Sequence, residues 1–200
     1  MDVSEEHRLH QAIQRHIKKI GIPDIVIANA GVSTGTLNGE REDLVTFKRM
    51  MDINLYGVMH TFLPFIHAFK KRKSGQLVGI ASVAGIRGLP GSGAYSASKA
   101  ALINYLESLR IEMLPFNIQV TTIAPGYIKT PMTHSNPYAM PFILEVDKAV
   151  TLFIKAIDQK KKFIIIPWQM NIVGKLMRLL PASVWDFLAK RGPKKLRAMI

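Results

Sequence analysis

Four short runs of aliphatic and β-branched residues, Ile25–Ala28, Gln76–Ser82, Ile118–Ala124 and Phe163–Ile166, most constrain what this chain can fold into. Runs so short and so continuously apolar suit strands buried on both faces. Each gap between them is long enough for a helix. The first helix is expected behind Ser4, with Glu5 and Glu6 in its opening turn and Leu9, Ile13, Ile17 and Ile20 at helical spacing, stopped by Gly21 and Pro23. A longer one is expected over residues 43–69, bent near Asn54 and Gly57, then one over 94–113 and one over 147–159. Strands alternating with helices predict an α/β fold, a doubly wound parallel sheet with helices on both faces. A Gly-rich loop covers Val83 to Gly93, and Tyr127 to Glu145, with three prolines, is expected to be a lid-like connection.

The chain has 200 residues, enough for one domain with a sizeable core. Its hydrophobic content of 48% and charged content of 20% exclude a disordered chain. It has no cysteine, which excludes disulfides and thiolate metal sites, and the six histidines show no metal-ligand spacing. With no long uncharged apolar run, no membrane-spanning helix is expected. The expected location is cytoplasmic, with peripheral attachment at a membrane surface as a candidate.

Net charge is +13, and the basic residues crowd the end of the chain, where Asp186 is the one acid after Lys160. The expected division is a catalytic domain over residues 1–167 and a basic amphipathic extension over 168–200. In that extension Ile172, Val173, Leu176, Leu179 and Leu180 form an apolar face opposite Lys175 and Arg178. Trp185 and Leu188 continue the face, followed by Lys190, Arg191, Lys194, Lys195 and Arg197. Two readings stand side by side: a helix lying in a membrane surface, or a cover for the substrate pocket or a subunit contact. No aromatic residues are interleaved with the bases, so a nucleic-acid partner is not expected.

Chemistry concentrates in the run YSASK, Tyr95 to Lys99. Residues four apart share one face of a helix. Lys99 is therefore expected over the same surface as Tyr95, its charge lowering a phenol pKa that is ordinarily about 10. Ser82 closes the strand-like run upstream. Together these suit acid–base work on a carbonyl or an alcohol.

In these residues the chain resembles the short-chain dehydrogenase/reductase family. ANAG at Ala28–Gly31, DINLYG at Asp52–Gly57, the Ser82–YSASK pair and APGYIKTPM at Ala124–Met132 occur in the family's order. The resemblance implies a Rossmann-like sheet and a nicotinamide cofactor, NAD(P)(H), with NADP favoured. It implies Tyr95 as general acid and base, Lys99 tuning it and holding the nicotinamide ribose, and Ser82 fixing the substrate oxygen. Asn54 is implied to bind a water of the proton relay. Asn29, Ala30, Gly31, Pro125, Gly126 and Thr130 are implied to line the cofactor, with Asp2 at the adenine end. The expected partners are a hydrophobic carbonyl or alcohol substrate and copies of the chain itself, as a homodimer or homotetramer.

The family pattern begins with a Gly-rich phosphate loop and two βα units, about 60 residues, that this sequence does not contain. The chain is thus expected to lack its first strands, to bind dinucleotide weakly and to expose the run Ile25–Ala28. It is either a fragment of an ordinary reductase or a short, inactive remnant acting through membrane or protein contacts. The glycines at 85, 88, 91 and 93 are expected to form an active-site loop rather than a phosphate loop.

Overall fold

A computed structural model describes residues 1–134, 136–190, 192 and 195–197. Its frame is one parallel sheet in the order β1 (Ile25–Ala28), β2 (Gly75–Ile80), β3 (Ile118–Pro125) and β4 (Phe163–Ile166). Val26 pairs with Leu77, Leu77 with Val120, and Ile123 with Ile164. The sheet is doubly wound, as the alternation of runs predicts. On one face lie α1 (Glu6–Ile20), α3 (Gly57–Arg72) and α4 (Gly93–Met113); there Phe62, Phe69, Leu102 and Leu106 are fully buried with Leu77 and beside Val120. Burying each such side chain is worth roughly 1.5–3 kcal/mol. On the other face α6 (Val146–Asp158) sets Ala149, Ala156 and Ile157 against Val78, Ile123 and Ile166.

Strand β1 shows why its neighbours matter. Val26 and Ala28 point into the first core, whereas Ile25 and Ile27 point to the opposite face, where they are 42% and 49% exposed. Alternate residues of a strand face opposite ways, so the exposure expected for this run falls on one of its two faces.

Helix α4 sits close because Gly79 of β2 has no side chain. A Cβ there would run into the side chain of Leu106. That approach brings the first turn of α4 to the carboxyl ends of the strands, where ligands of open α/β sheets bind.

Several expectations need local correction. Ser4 does not cap α1: its N–H and hydroxyl bond the carboxylate of Asp2, and the helix begins after Glu5 without a side-chain cap. The bend expected near Asn54 is a change of winding. The helix α2 (Asp43–Met51) widens into a π-turn over Asp52–Tyr56 before α3 begins. Such insertions are frequent at functional sites. The 127–145 connection contains a short helix, α5 (Pro131–His134), and a bridge between Ile128 and Leu144.

The last part of the chain is two helices, α7 (Trp168–Leu179) and α8 (Ala182–Ala189). Met170 and Val173 of α7 join the first core, while Trp168, Ile172, Leu176 and Leu179 form an exposed apolar stripe. Beyond α8, the N–H of Gly35 donates to Leu196 O at 2.9 Å, and Arg197 pairs with Asp43 at 3.0 Å. Arg191 and Lys194 lie outside the described residues. Among the described residues no helix is long and apolar enough to cross a membrane.

Candidate active site

Ser82 lies just past β2 in an extended conformation and caps a single 3₁₀ turn, its Oγ accepting from Ala84 N–H at 3.2 Å. The same hydroxyl is 3.5 Å from the carbonyl of Pro125 at the end of β3. Across from it stands Tyr95, in the first turn of α4. That turn is pinned from outside: Ala94 N–H donates to Thr36 Oγ1 at 3.1 Å, and Thr36 N–H donates to Gly91 O at 3.1 Å. A loop that follows β1 therefore fixes where the phenol points.

Tyr95 hydrogen-bonds the Ser82 side chain. Burial pushes its pKa above the ordinary phenol value, and the Ser82 hydrogen bond pulls partly the other way. This corrects the expectation that Lys99 makes the phenol acidic. Lys99 Nζ is 6.0 Å from the Tyr95 ring centroid and donates to Ile80 O at 2.8 Å instead. Lys99 is 4% exposed, and loss of water brings its amine down to about 8. Burial disfavours the charged form of both groups, so it moves the two pKa values in opposite directions, away from an ion pair and toward a neutral phenol.

Asn54 ties this cluster to β1. It is fully buried in the π-turn; its Oδ1 accepts from Val32 N–H at 2.8 Å, and its Nδ2 donates to Val32 O at 2.9 Å and to Ser98 Oγ at 3.0 Å. Ser98 Oγ in turn donates to Tyr95 O at 2.9 Å. One amide thus locks the loop after β1 to the turn that carries Tyr95. Gly31 sits in the angle between them: a Cβ on it would lie 3.2 Å from Asn54 Oδ1 and 3.5 Å from Lys99 Nζ. A ligand can approach the backbone closely only where no side chain intervenes.

Ser82, Tyr95, Lys99, Asn54 and Gly31 form this cluster, with Pro125 reaching it through Ser82. Asn29 and Ala30 are exposed just beyond the carboxyl end of β1. Gly126 follows β3 and donates its N–H to Ile166 O at 2.7 Å. Thr130 is tied into its own turn, its carbonyl accepting from the N–H groups of Thr133 and His134.

Asp2 is engaged locally: one oxygen takes both bonds from Ser4 and the other meets the Arg49 guanidinium. These bonds, led by that of the Ser4 N–H, hold its carboxyl at about 2. Both carboxylate oxygens therefore have protein partners already.

Sequence reasoning passed over three residues. Ser98 is three positions after Tyr95, a spacing that shares its face. Thr36 is a lone threonine in a loop, with no signal for its helix-holding role. Tyr138 packs edge-on to Tyr127, with ring centroids 6.3 Å apart. Its pKa is pushed up to about 12, first by burial, then by the charge of Tyr127, with a smaller push from Tyr95. The connection called lid-like thus carries a packed pair of aromatic rings.

The fold and site together define an α/β protein with paired hydroxyls over a buried amine at the carboxyl edge of a parallel sheet. Residues 1–140 match the family model of the short chain dehydrogenases, and the chain belongs to that family. It is 36% identical over 191 residues to an uncharacterised oxidoreductase of Myxococcus xanthus, covering 96% of this chain and 75% of that protein. It is 34% identical over 134 residues to the 3-ketodihydrosphingosine reductase of Bacteroides thetaiotaomicron, covering 66% of this chain and 49% of the reductase. Among solved structures it is similar to 4-hydroxyisoleucine dehydrogenase complexed with NADH, with a TM-score of 0.69 and 27% identity over 83% of this chain and 77% of that one.

Proposed function

We propose that the protein interconverts a carbonyl and an alcohol with a nicotinamide cofactor, Tyr95 passing the proton. The observation that carries this reading is the meeting of the Ser82 and Tyr95 hydroxyls above Lys99, against the side-chain-free backbone of Gly31. A carbonyl oxygen bound between the two hydroxyls accepts a hydrogen bond from each. When bound, the nicotinamide supplies or removes the hydride. In the reducing direction the Tyr95 O–H bond breaks and its proton goes to the substrate oxygen, while Ser82 holds that oxygen in place. A phenol kept neutral by burial is a competent donor at neutral pH. The charge left on it is stabilised by the Ser82 hydroxyl and by the nearby Lys99 amine.

The residues present fit the nicotinamide end. Gly31 leaves room for a ligand beside Lys99 Nζ, and that amine, with one N–H directed at Ile80 O, has others to offer a ribose diol. Asn29, Ala30, Pro125, Gly126 and Thr130 belong to the same edge. A water held by Asn54 would need to share its already satisfied amide. Asp2 would meet adenine only by giving up a present partner. The positive net charge favours the more anionic NADP(H) over NAD(H). The aromatic pair Tyr127–Tyr138 favours a hydrophobic substrate, as does the likeness to a 3-ketodihydrosphingosine reductase.

The exposed stripe of α7 supports peripheral contact of a cytoplasmic protein with a membrane surface. Leu63, 53% exposed on α3, and Ile111, 56% exposed on α4, support self-association.

Tyr95→Phe removes the transferable proton and keeps the ring. It is expected to lower turnover at least ~10²-fold with unchanged thermal unfolding. Near-normal turnover would sink the assigned role. Titration with NADPH and NADH separates this reading from that of an inactive remnant, which binds neither.

A further inference from the structure

A second concave site lies behind α4. Helix α4 divides the molecule by face: Tyr95, Lys99, Leu102 and Leu106 point to the reaction site and the core, whereas Ser96, Ala100, Ile103, Glu107 and Arg110 line a groove of about 1300 Å³. The opposite wall is α7 and α8, and the ends are the loop of residues 85–90 and strand β4. This exceeds the roughly 300–1,000 Å³ common for small-ligand pockets. None of Ser82, Tyr95 and Lys99 lines it.

Its chemistry is divided. The floor is apolar, built from Ile86, Ile103 and Ile165, and α7 comes down onto Ile86 because Gly174 has no side chain to obstruct it. The rim is cationic: Arg87, Arg110, Lys162, Lys175, Arg178 and Lys190 face two acids, Glu107 and Asp186. Arg110 is paired with Glu107 at 3.6 Å, and Arg87 binds the carbonyls at the end of α7 and stacks 5.0 Å over Trp185. Lys162, Lys175 and Arg178 have no carboxylate partner among the described residues. In the groove wall, Ser96 is 4% exposed and its Oγ is buried without a hydrogen-bond partner. Buried hydroxyls are ordinarily satisfied.

We propose that this groove binds a long-chain anionic amphiphile. Its acyl chain lies over Ile86, Ile103 and Ile165, and its carboxylate or phosphate end sits among Lys162, Lys175 and Arg178. The charge balance selects the anion, and the apolar floor selects the chain. The site is separate from the reaction centre, so it stands whether or not Tyr95 has the role given above.

The test uses the full chain and reads tryptophan fluorescence, since Trp185 lines the groove and the chain has two tryptophans in all. Laurate and dodecyl phosphate, below their micellar concentrations, are expected to bind with saturation at micromolar concentration, and dodecanol at least tenfold more weakly. Ala100→Trp fills the groove and is expected to abolish binding. The pair Lys175→Glu and Arg178→Glu, at two exposed positions with no ion pair among the described residues, is expected to weaken it at least tenfold with unchanged circular dichroism. Tyr95→Phe leaves it unchanged. Equal affinity for laurate and dodecanol overturns the proposal, as does binding that survives both groove variants. Binding only to anionic phosphatidylglycerol vesicles, unaffected by Ala100→Trp, assigns the charge to a membrane face and overturns it too. Self-association that Ala100→Trp abolishes, without laurate binding, overturns it in favour of a second copy of the chain.

Discussion

Replacing Asn54 by leucine tests how the site is held together. The side chain is nearly conserved in volume, so little cavity opens, but three hydrogen bonds go: two to the backbone of Val32 and one to Ser98 Oγ. Each is worth about 1 kcal/mol net, and a buried donor left unpaired costs about 1–3 kcal/mol. Val32 is half-buried, so water relieves part of that penalty, and Ser98 keeps its bond to Tyr95 O. The sum is a loss of about 3 kcal/mol. With a urea slope of about 2 kcal/mol/M, the unfolding midpoint falls by about 1.5 M. Urea titration followed by circular dichroism measures it. Ser98→Ala alone should cost about 1 kcal/mol, and the double variant should be less than additive by a similar amount, because the two share a bond. A loss below about 1 kcal/mol for Asn54→Leu, or strict additivity, would refute the claim that this amide couples β1 to the turn of Tyr95.

Two further outcomes follow from burial. Lys99 has a folded pKa of about 8 against an ordinary 10.5. Below pH 8 it is charged in both states, and the folded state carries the full desolvation cost. Between about 8 and 10.5 the unfolded chain binds more protons, so stability should rise with pH, by about 3 kcal/mol in all. Lys99→Met should remove that rise, and an unchanged pH profile in urea titrations would contradict it. Gly79→Val drives a side chain into Leu106 and should cost about 1–3 kcal/mol by overpacking. Adding Leu106→Ala should recover part of the loss, and no recovery would show that the close seat of α4 has another cause.

The sequence alone determined the frame. Short apolar runs have few ways to be buried other than as parallel strands of one sheet, which is why β1 to β4 fall within two residues of the runs that announced them. The resemblance in the family motifs marked Ser82, Tyr95, Lys99 and Asn54, and helical spacing by itself put Tyr95 and Lys99 on one face of α4. Tertiary structure decided the rest. Whether Lys99 lowers the pKa of Tyr95 depends on water and on the carbonyl of Ile80 at the end of β2, and burial reversed the direction that spacing alone suggested. That Thr36 holds the first turn of α4, that Asp2 spends both oxygens on Ser4 and Arg49, and that α4 has a second groove behind it follow from segments far apart in the chain. Local periodicity reports only on a residue's immediate neighbours, whereas dielectric environment and hydrogen-bond partners are set by whatever the fold brings alongside.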